Sequence, residues 1–217
     1  GVVLYPNQEI VIDVGRDTSV HAVENAQDNY DKKICLFSQK ELEKENPGKE
    51  DIYPVGTLCE VRHIRRFDNF LRVKFRGIKR VKLNNWINGS LSDLAEVEIL
   101  ESEKQDAVEE EALIRMIADE LDQGQDRFVT KEIVMEISKG MGGEFLSDKA
   151  VQGLPLDIER KQQYLETLGV NDRLMMLLQD MAKEKKMSEV EQQINETVKE
   201  RIDQGQKDYY LREKMNV

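Results

Sequence analysis

Two hydrophobic periods divide the chain. Up to about residue 100, apolar side chains recur at every second position: Ile10, Ile12 and Val14, then Leu71, Val73 and Phe75, then Val97 and Ile99. Alternation of this kind sinks one face of an extended strand in a core and leaves the other in water, so it predicts half-buried strands. Further strands are predicted over 32–38, with Ile34, Leu36 and Ser38 on one face, and over 57–66. Pro6-Asn7, Pro47-Gly48, Asp68-Asn69 and Asn88-Gly89 supply turn chemistry between them. One helix interrupts the series. Ser19 is placed to cap a stretch in which Val20, Val23 and Ala26 or Gln27 fall at helical spacing, ending near Tyr30.

After Leu100 the period becomes helical. Leu113, Ile114, Ile117 and Leu121 form one apolar stripe, Ile133, Val134 and Ile137 a second, and Ile158, Tyr164, Leu165 and Leu168 a third. Gly169 is placed to stop that helix, and Asn171 or Asp172 to cap the next, which runs through Leu174, Leu177, Leu178 and Met181. Gly140 to Gly143 and Gly153-Leu154-Pro155 read as connections. The last thirty or so residues favour helix, with Val190, Ile194, Val198 and Ile202 every fourth position among Glu, Lys, Gln and Arg. Ser188-Glu189-Val190-Glu191 offers a capping signal, so either a break near 187 or a continuous helix fits. Such a narrow stripe suits coiled-coil contact or a loosely docked helix better than burial in a core; packing back on the chain's own bundle is the less favoured alternative.

Composition narrows the function classes. Of 217 residues, 39% are hydrophobic and 35% charged, and mean hydropathy is −0.61, with no apolar run near the ~18 residues that a membrane helix needs. No membrane partner is expected. Residues 1–100 hold 15 basic and 16 acidic side chains, whereas residues 101–217 hold 17 and 27, so nearly all of the net charge of −11 lies in the helical part. The two cysteines, Cys35 and Cys59, sit in alternating apolar stretches without metal-ligand spacing, which predicts buried reduced thiols and a cytoplasmic protein. The abrupt start without a leader, and a final helix without a stop signal, predict a piece of a longer chain.

Catalytic signatures are missing. There is no phosphate loop of the Gly-x-x-x-x-Gly-Lys-Ser/Thr kind and no Gly-x-Ser-x-Gly turn, and His21 and His63 each lack a second ligand at metal spacing. Glu109-Glu110-Glu111 reads as the wet first turn of a helix. One basic cluster stands out: nine Lys and Arg between Arg62 and Lys82 against the single acid Asp68. Arg72, Lys74 and Arg76 share the strand face opposite Leu71, Val73 and Phe75. That face could hold acidic polypeptide, nucleic acid or the chain's own acidic helices, or be a solvated face paired to acidic neighbours. Phe67, Phe70 and Phe75 give no regular base-stacking platform, so nucleic acid is the less favoured partner.

Several ordered motifs point to one family. Val2-Val3-Leu4-Tyr5-Pro6, Asp13 to Ser19 (Asp-Val-Gly-Arg-Asp-Thr-Ser), Gln39-Lys40, Asp51 to Leu58, and the pair Gly77 and Arg80 resemble, in order and spacing, the amino-terminal domain of Lon ATP-dependent proteases. The resemblance resumes at Leu154-Pro155-Leu156, Lys161-Gln162, Leu165-Glu166 and Asp172-Arg173-Leu174, ends with Gln206 to Met215, and is weakest at about 122–150. It implies an α+β protein: a β-rich, PUA-like amino-terminal subdomain (1–101), an α-helical bundle (102–186), and a long carboxy-terminal helix (187–217) leading to an ATPase and a Ser–Lys peptidase. Neither module is in this sequence, so no catalytic residue, metal site or cofactor is expected here; ATP and Mg would belong to the parent protein.

What the resemblance implies for function is recognition of unfolded or tagged protein substrates, and assembly with its own subunits into a homo-oligomer, a hexamer in the parent. Promiscuous binding suits loop aromatics and flexible methionines, which makes Leu4, Tyr5, Phe67, Phe70, Met175 and Met176 the candidate substrate contacts. Val190, Ile194, Val198 and Ile202 are the candidate helix contacts, and Arg72, Lys74 and Arg76 the candidate basic face.

Overall fold

The computed structural model of the chain describes residues 2–123 and 131–215. The sheet region comes first, with strands β1 (Glu9–Val14), β2 (Lys33–Leu36), β3 (Val55–Arg66), β4 (Leu71–Ile87) and β5 (Leu94–Leu100), and the helix α1 (Asp17–Asn29) between β1 and β2. Helices α2 (Ala107–Gln123), α3 (Lys131–Ser138), α4 (Gly143–Gly153), α5 (Ile158–Glu166) and α6 (Val170–Met215) follow. The chain is thus of the mixed α+β class.

The sheet is antiparallel in the order β1-β4-β3-β2, with β5 also pairing β4. Strand β4 is long enough, at 17 residues, to pair with β1 through Leu71–Arg76 and with β5 through Arg80–Ile87. Leu71, Val73 and Phe75 point inward and, with Leu4, Cys59, Val61 and Val23 of α1, form the core. Burying each large side chain is worth about 1.5–3 kcal/mol, against about 0–1 for an exposed ion pair. The inward stripe, not the basic outward face, therefore fixes the register of β4. Past Phe75 the chain needs Gly77, because a β-carbon there would collide with the Tyr5 carbonyl. The bare backbone instead exchanges hydrogen bonds with the turn beyond Tyr5: Asn7 N–H donates to Gly77 O and Gly77 N–H to Gln8 O, both at 2.9 Å.

The sheet and the first helices, on either side of the expected boundary near 101, fall in a single compact unit, Gly1–Leu177. Buried polar links explain this. Arg80, 1% exposed, donates from its two terminal nitrogens to Asp148 of α4 at 2.9 and 2.5 Å, and from Nε to Leu165 O at 3.1 Å. Gln162 donates to Val55 O at 2.8 Å, and the Tyr5 hydroxyl donates to Lys161 O at 2.7 Å. The second unit, Leu178–Val217, contains the larger part of α6; there Val190, Ile194, Val198 and Ile202 are 42–56% exposed on a helix that runs through 187 without a break.

Local details depart from expectation at three places. Helix α1 starts at Asp17, with Arg16 as its N-cap and no side-chain cap, so Ser19 lies inside the first turn. Asn171 and Asp172 likewise do not cap α6: Gln105 does, its Oε1 accepting from both their N–H groups at 2.9 and 3.2 Å. Between the connections expected at 140–143 and 153–155 the chain forms α4, which buries Ser147 and Asp148 beside Leu146, Ala150 and Val151. Its inward positions mix polar and apolar residues, because Asp148 answers Arg80, and that hides the helical period.

Candidate binding groove

Beside the core, the first unit opens into an apolar groove of about 1240 Å³. One wall is α1, through Ala22, Ala26 and Tyr30; another is the end of the β4–β5 hairpin, with Trp86, Ile87 and Leu94; β2 and the following loop, with Phe37 and Leu42, supply the rest. Each wall follows from local sequence. Helix α1 buries Val23 and Ala26 on one face. It ends in two successive left-handed residues, Asp31 (φ 49°) and Lys32 (φ 61°), which reverse the chain into β2. The hairpin is tied to α1 by the Asn25 amide, which donates to Ser92 Oγ at 2.9 Å.

The loop after β2 is charged but fixed. Arg16 donates to Gln39 Oε1 at 3.0 Å, Gln39 Nε2 donates to Lys44 O at 2.8 Å, and Lys44 pairs with Asp51 at 2.6 Å. The hydrogen bond from Lys44 is the chief reason that the Asp51 carboxyl is held below the usual carboxylate range, with the Gly48 N–H adding to it. This network holds Leu42 out at the rim, 52% exposed, alongside Val2 (44%), Tyr30 (47%) and Ile87 (46%). Apolar side chains gathered around a concave surface, with water still on them, gain by covering one another with a ligand. Cys35 also lines the groove, where burial pushes its thiol up to about 11 and keeps it an unreactive thiol at neutral pH.

The six candidate substrate contacts do not converge. Leu4 and Tyr5, expected at an exposed turn, are 3% and 0% exposed: Leu4 reaches the groove only as floor, and Tyr5 is held by its hydroxyl on Lys161 O, with burial driving its phenol pKa far up. Val3, Leu4 and Tyr5 are all buried in a segment that precedes β1 and belongs to no strand, so no alternation marked them as core. Phe67 and Phe70 form a separate patch at the β3–β4 tip, stacked with ring centres 4.7 Å apart. Arg65 and Arg72 lie over the Phe67 ring at 5.2 and 5.4 Å. Met175 is exposed and Met176 half-buried on α6, and neither lines the groove.

On the outward face of β4, Arg72 makes a two-pronged pair with Asp13 of β1, both bonds 2.7 Å, and Lys74 pairs with Glu9 at 2.6 Å. These hydrogen bonds lower the pKa of both carboxyls. Arg76 stands in register with Glu9 and Glu60. The basic stripe is thus matched by acids on its neighbours. His21 and His63 are both exposed, and among the described residues no group of three His, Cys, Asp or Glu is placed to hold a metal ion. Nor is any described helix long and apolar enough to cross a membrane.

The groove's rim residues carried little signal in the sequence. Leu42 is an isolated apolar residue in a charged stretch, and Trp86 and Ile87 end a strand whose alternation had already lapsed at Asn84-Asn85. The cue would have been large apolar residues at strand ends and turns, which only the fold gathers.

Comparison with known proteins agrees with this architecture. Residues 1–183 match the family described as the ATP-dependent protease La (LON) substrate-binding domain. Among curated relatives, a Lon protease of Syntrophomonas wolfei is 34% identical over 99% of this chain, and one of Brevibacillus choshinensis 32% over the same share. The Escherichia coli K12 Lon protease is 31% identical, again over 99%. The chain spans only 27–28% of these relatives' length. Of solved structures, the N-terminal domain of Mycobacterium avium complex Lon protease superposes with a TM-score of 0.64 at 21% identity, covering 83% of this chain and 92% of that one. The Lon N-terminal domain protein of Xanthomonas campestris gives 0.51 at 17%, covering 81% and 91%.

Proposed function

This chain belongs to the Lon protease substrate-binding domain family, and from that premise we propose that it is the recognition region of an ATP-dependent Lon-type protease, taking up exposed apolar stretches of unfolded or damaged polypeptide in the groove between α1, β2 and the β4–β5 hairpin. The observation that carries this reading is the exposed apolar rim of Val2, Tyr30, Leu42 and Ile87 around a concave surface. Such a site rewards any apolar side chain of roughly the right size and demands no particular partner, as protein quality control requires. Hydrolysis of ATP with Mg, and peptide cleavage by a Ser–Lys pair, would belong to modules other than this one.

Fluorescence titration with a reduced, carboxymethylated polypeptide tests it. Leu42→Asp/Ile87→Asp should weaken binding by about tenfold or more, since each charge sits where a half-exposed apolar side chain would be covered, at about 1 kcal/mol or more apiece. Phe67→Ala/Phe70→Ala should change it little. Unaltered affinity in the groove variant, with its circular dichroism intact, refutes the assignment.

A second reading concerns assembly, and the exposed Val190–Ile202 stripe favours it. Apolar residues repeated on one side of a polar helix suit pairing with the same helix of another subunit. Sedimentation of the chain should then show a concentration-dependent oligomer that Ile194→Glu/Val198→Glu converts to monomer, and monomer before and after the change counts against it. Nucleic acid is less well supported, because Arg72 and Lys74 already face Asp13 and Glu9; a steep salt dependence of duplex DNA binding would revive it.

A further inference from the structure

The groove holds more than apolar side chains: it contains an open sheet edge. Strand β2 pairs with β3 on one side only. Val61 N–H donates to Lys32 O at 2.8 Å. Counting along the antiparallel ladder from that bond, Ile34 and Leu36 turn their backbone groups toward Cys59 and Thr57. Lys33, Cys35 and Phe37 then turn theirs the opposite way, and all three residues line the groove. Lys33 N–H is used by Tyr30 O at 2.8 Å. Among the described residues, no backbone partner takes Cys35 N–H, Cys35 C=O, Lys33 C=O or Phe37 N–H. A row of backbone donors and acceptors at the side of an apolar trough is a template for another strand.

The charges at the rim narrow the partner. Glu45, Asp93 and Glu96 line the groove and make no ion pair among the described residues. Opposing them are Lys33 and Arg16, the latter engaged with Gln39 and Lys44 O. The balance favours an incoming segment with positive flanks. Of the other edge strands, β1 suits a strand less well, since Glu9 and Asp13 border it and both are already paired.

We propose that an extended polypeptide segment, apolar at alternate positions and flanked by Lys or Arg, adds to the free edge of β2 as a further strand, bonding to the backbone of Cys35. The inference rests on the groove as the recognition site and specifies how it reads its ligand. Main-chain bonds give sequence-tolerant affinity, the groove takes every second side chain, and the acidic rim selects the flanks. A proline, lacking its N–H, is excluded from the bonded positions.

The experiment titrates the full chain with the peptide Lys-Lys-Val-Thr-Val-Thr-Val-Thr-Val-Lys-Lys and with two N-methylated forms, one blocking the amides of the valines and the other those of the threonines. Only one set can face β2, so one form should bind about tenfold or more weakly while the other stays within about twofold. Amide exchange at Cys35 should slow when the unmodified peptide is bound. Asp93→Asn/Glu96→Gln should weaken the Lys-flanked peptide and leave a Ser-flanked version unchanged. If both methylated forms bind as the parent does, the strand-addition proposal falls while groove recognition stands; if the unmodified peptide does not bind at all, both fall.

Discussion

Asp148→Ala should destabilise the first compact unit by about 3–5 kcal/mol, the range for removing one member of a buried ion pair. The reasoning starts from exposure: the side chains of Arg80 and Asp148 are 1% and 2% exposed, so neither charge can turn to water when its partner is lost. A second buried cation raises the cost. Arg173, 0% exposed, donates to Thr167 O at 3.3 Å and to Ser102 Oγ at 3.1 Å, and among the described residues its Nε has no partner. Burial, with Arg80 beside it, depresses its pKa to about 10. Removing Asp148 leaves two guanidiniums in one apolar site with their nearest buried counter-charge gone.

Urea unfolding followed by two probes is the assay. Trp86, the only tryptophan, reports on the sheet, and far-ultraviolet circular dichroism reports on the helices. In the parent chain the two transitions of the first unit should coincide. In Asp148→Ala the helices lose the link that joins α4 to β4, and the transitions should separate as well as shift. The double replacement Arg80→Leu/Asp148→Leu should cost much less than the single ones added together, because it leaves no orphaned partner. A loss below about 1 kcal/mol for Asp148→Ala, with coincident transitions, would refute the view that this pair unites sheet and helices.

Three further outcomes follow from local chemistry. Lys32→Gly should stabilise the chain by about 1 kcal/mol, since a left-handed residue with a β-carbon costs about 1–2 kcal/mol and the added flexibility of glycine offsets part of that; a lowered urea midpoint would contradict it. Cys35, with its thiol at about 11 rather than 9, should react with iodoacetamide at pH 8 roughly a hundredfold more slowly than in the unfolded chain; equal rates by mass spectrometry would mean that the residue is not shielded. Glu9, Asp13 and Asp51 have folded pKa values below their ordinary ones, so the stability they give is present above the usual carboxylate pKa near 4 and is lost as pH falls through the lower folded values. Asp13→Asn should flatten that acid limb of the urea midpoint against pH, and an unchanged limb would show that the pair with Arg72 carries no linkage.

Much of the fold was legible because its elements obey one period at a time. The strand positions of Ile10–Val14 and Leu71–Phe75 and the helical stripe of Leu113–Leu121 have apolar residues on one face and water on the other, and each forms the expected element. Legibility failed where tertiary contacts supply what sequence rules assign to neighbours. Gln105 caps α6 from 65 or so positions away, and Glu110 Oε1 accepts from Gly143 N–H at the start of α4, at 2.9 Å. The groove was hidden for the same reason: Tyr30, Leu42 and Ile87 come from a helix end, a loop and a strand end that share no period. The stripe at Val190–Ile202, by contrast, was fully visible, because it depends on one helix alone.

Strand β4 reconciles these results. Its first part sets the core through Leu71, Val73 and Phe75; Gly77 then lets the chain beyond Tyr5 approach the backbone; Arg80 enters the helical side; and Trp86 and Ile87 form a wall of the groove. These tasks fall in sequence along one extended segment, with bulges at Ile78 and Asn84 resetting the register between them. A one-residue slip in its pairing would turn the inward stripe to water and also move Arg80 off Asp148 and Trp86 out of the wall. Groove shape and stability are therefore coupled through register: the groove keeps its shape, with little rigidity required of its loops, because a displaced wall would cost the core.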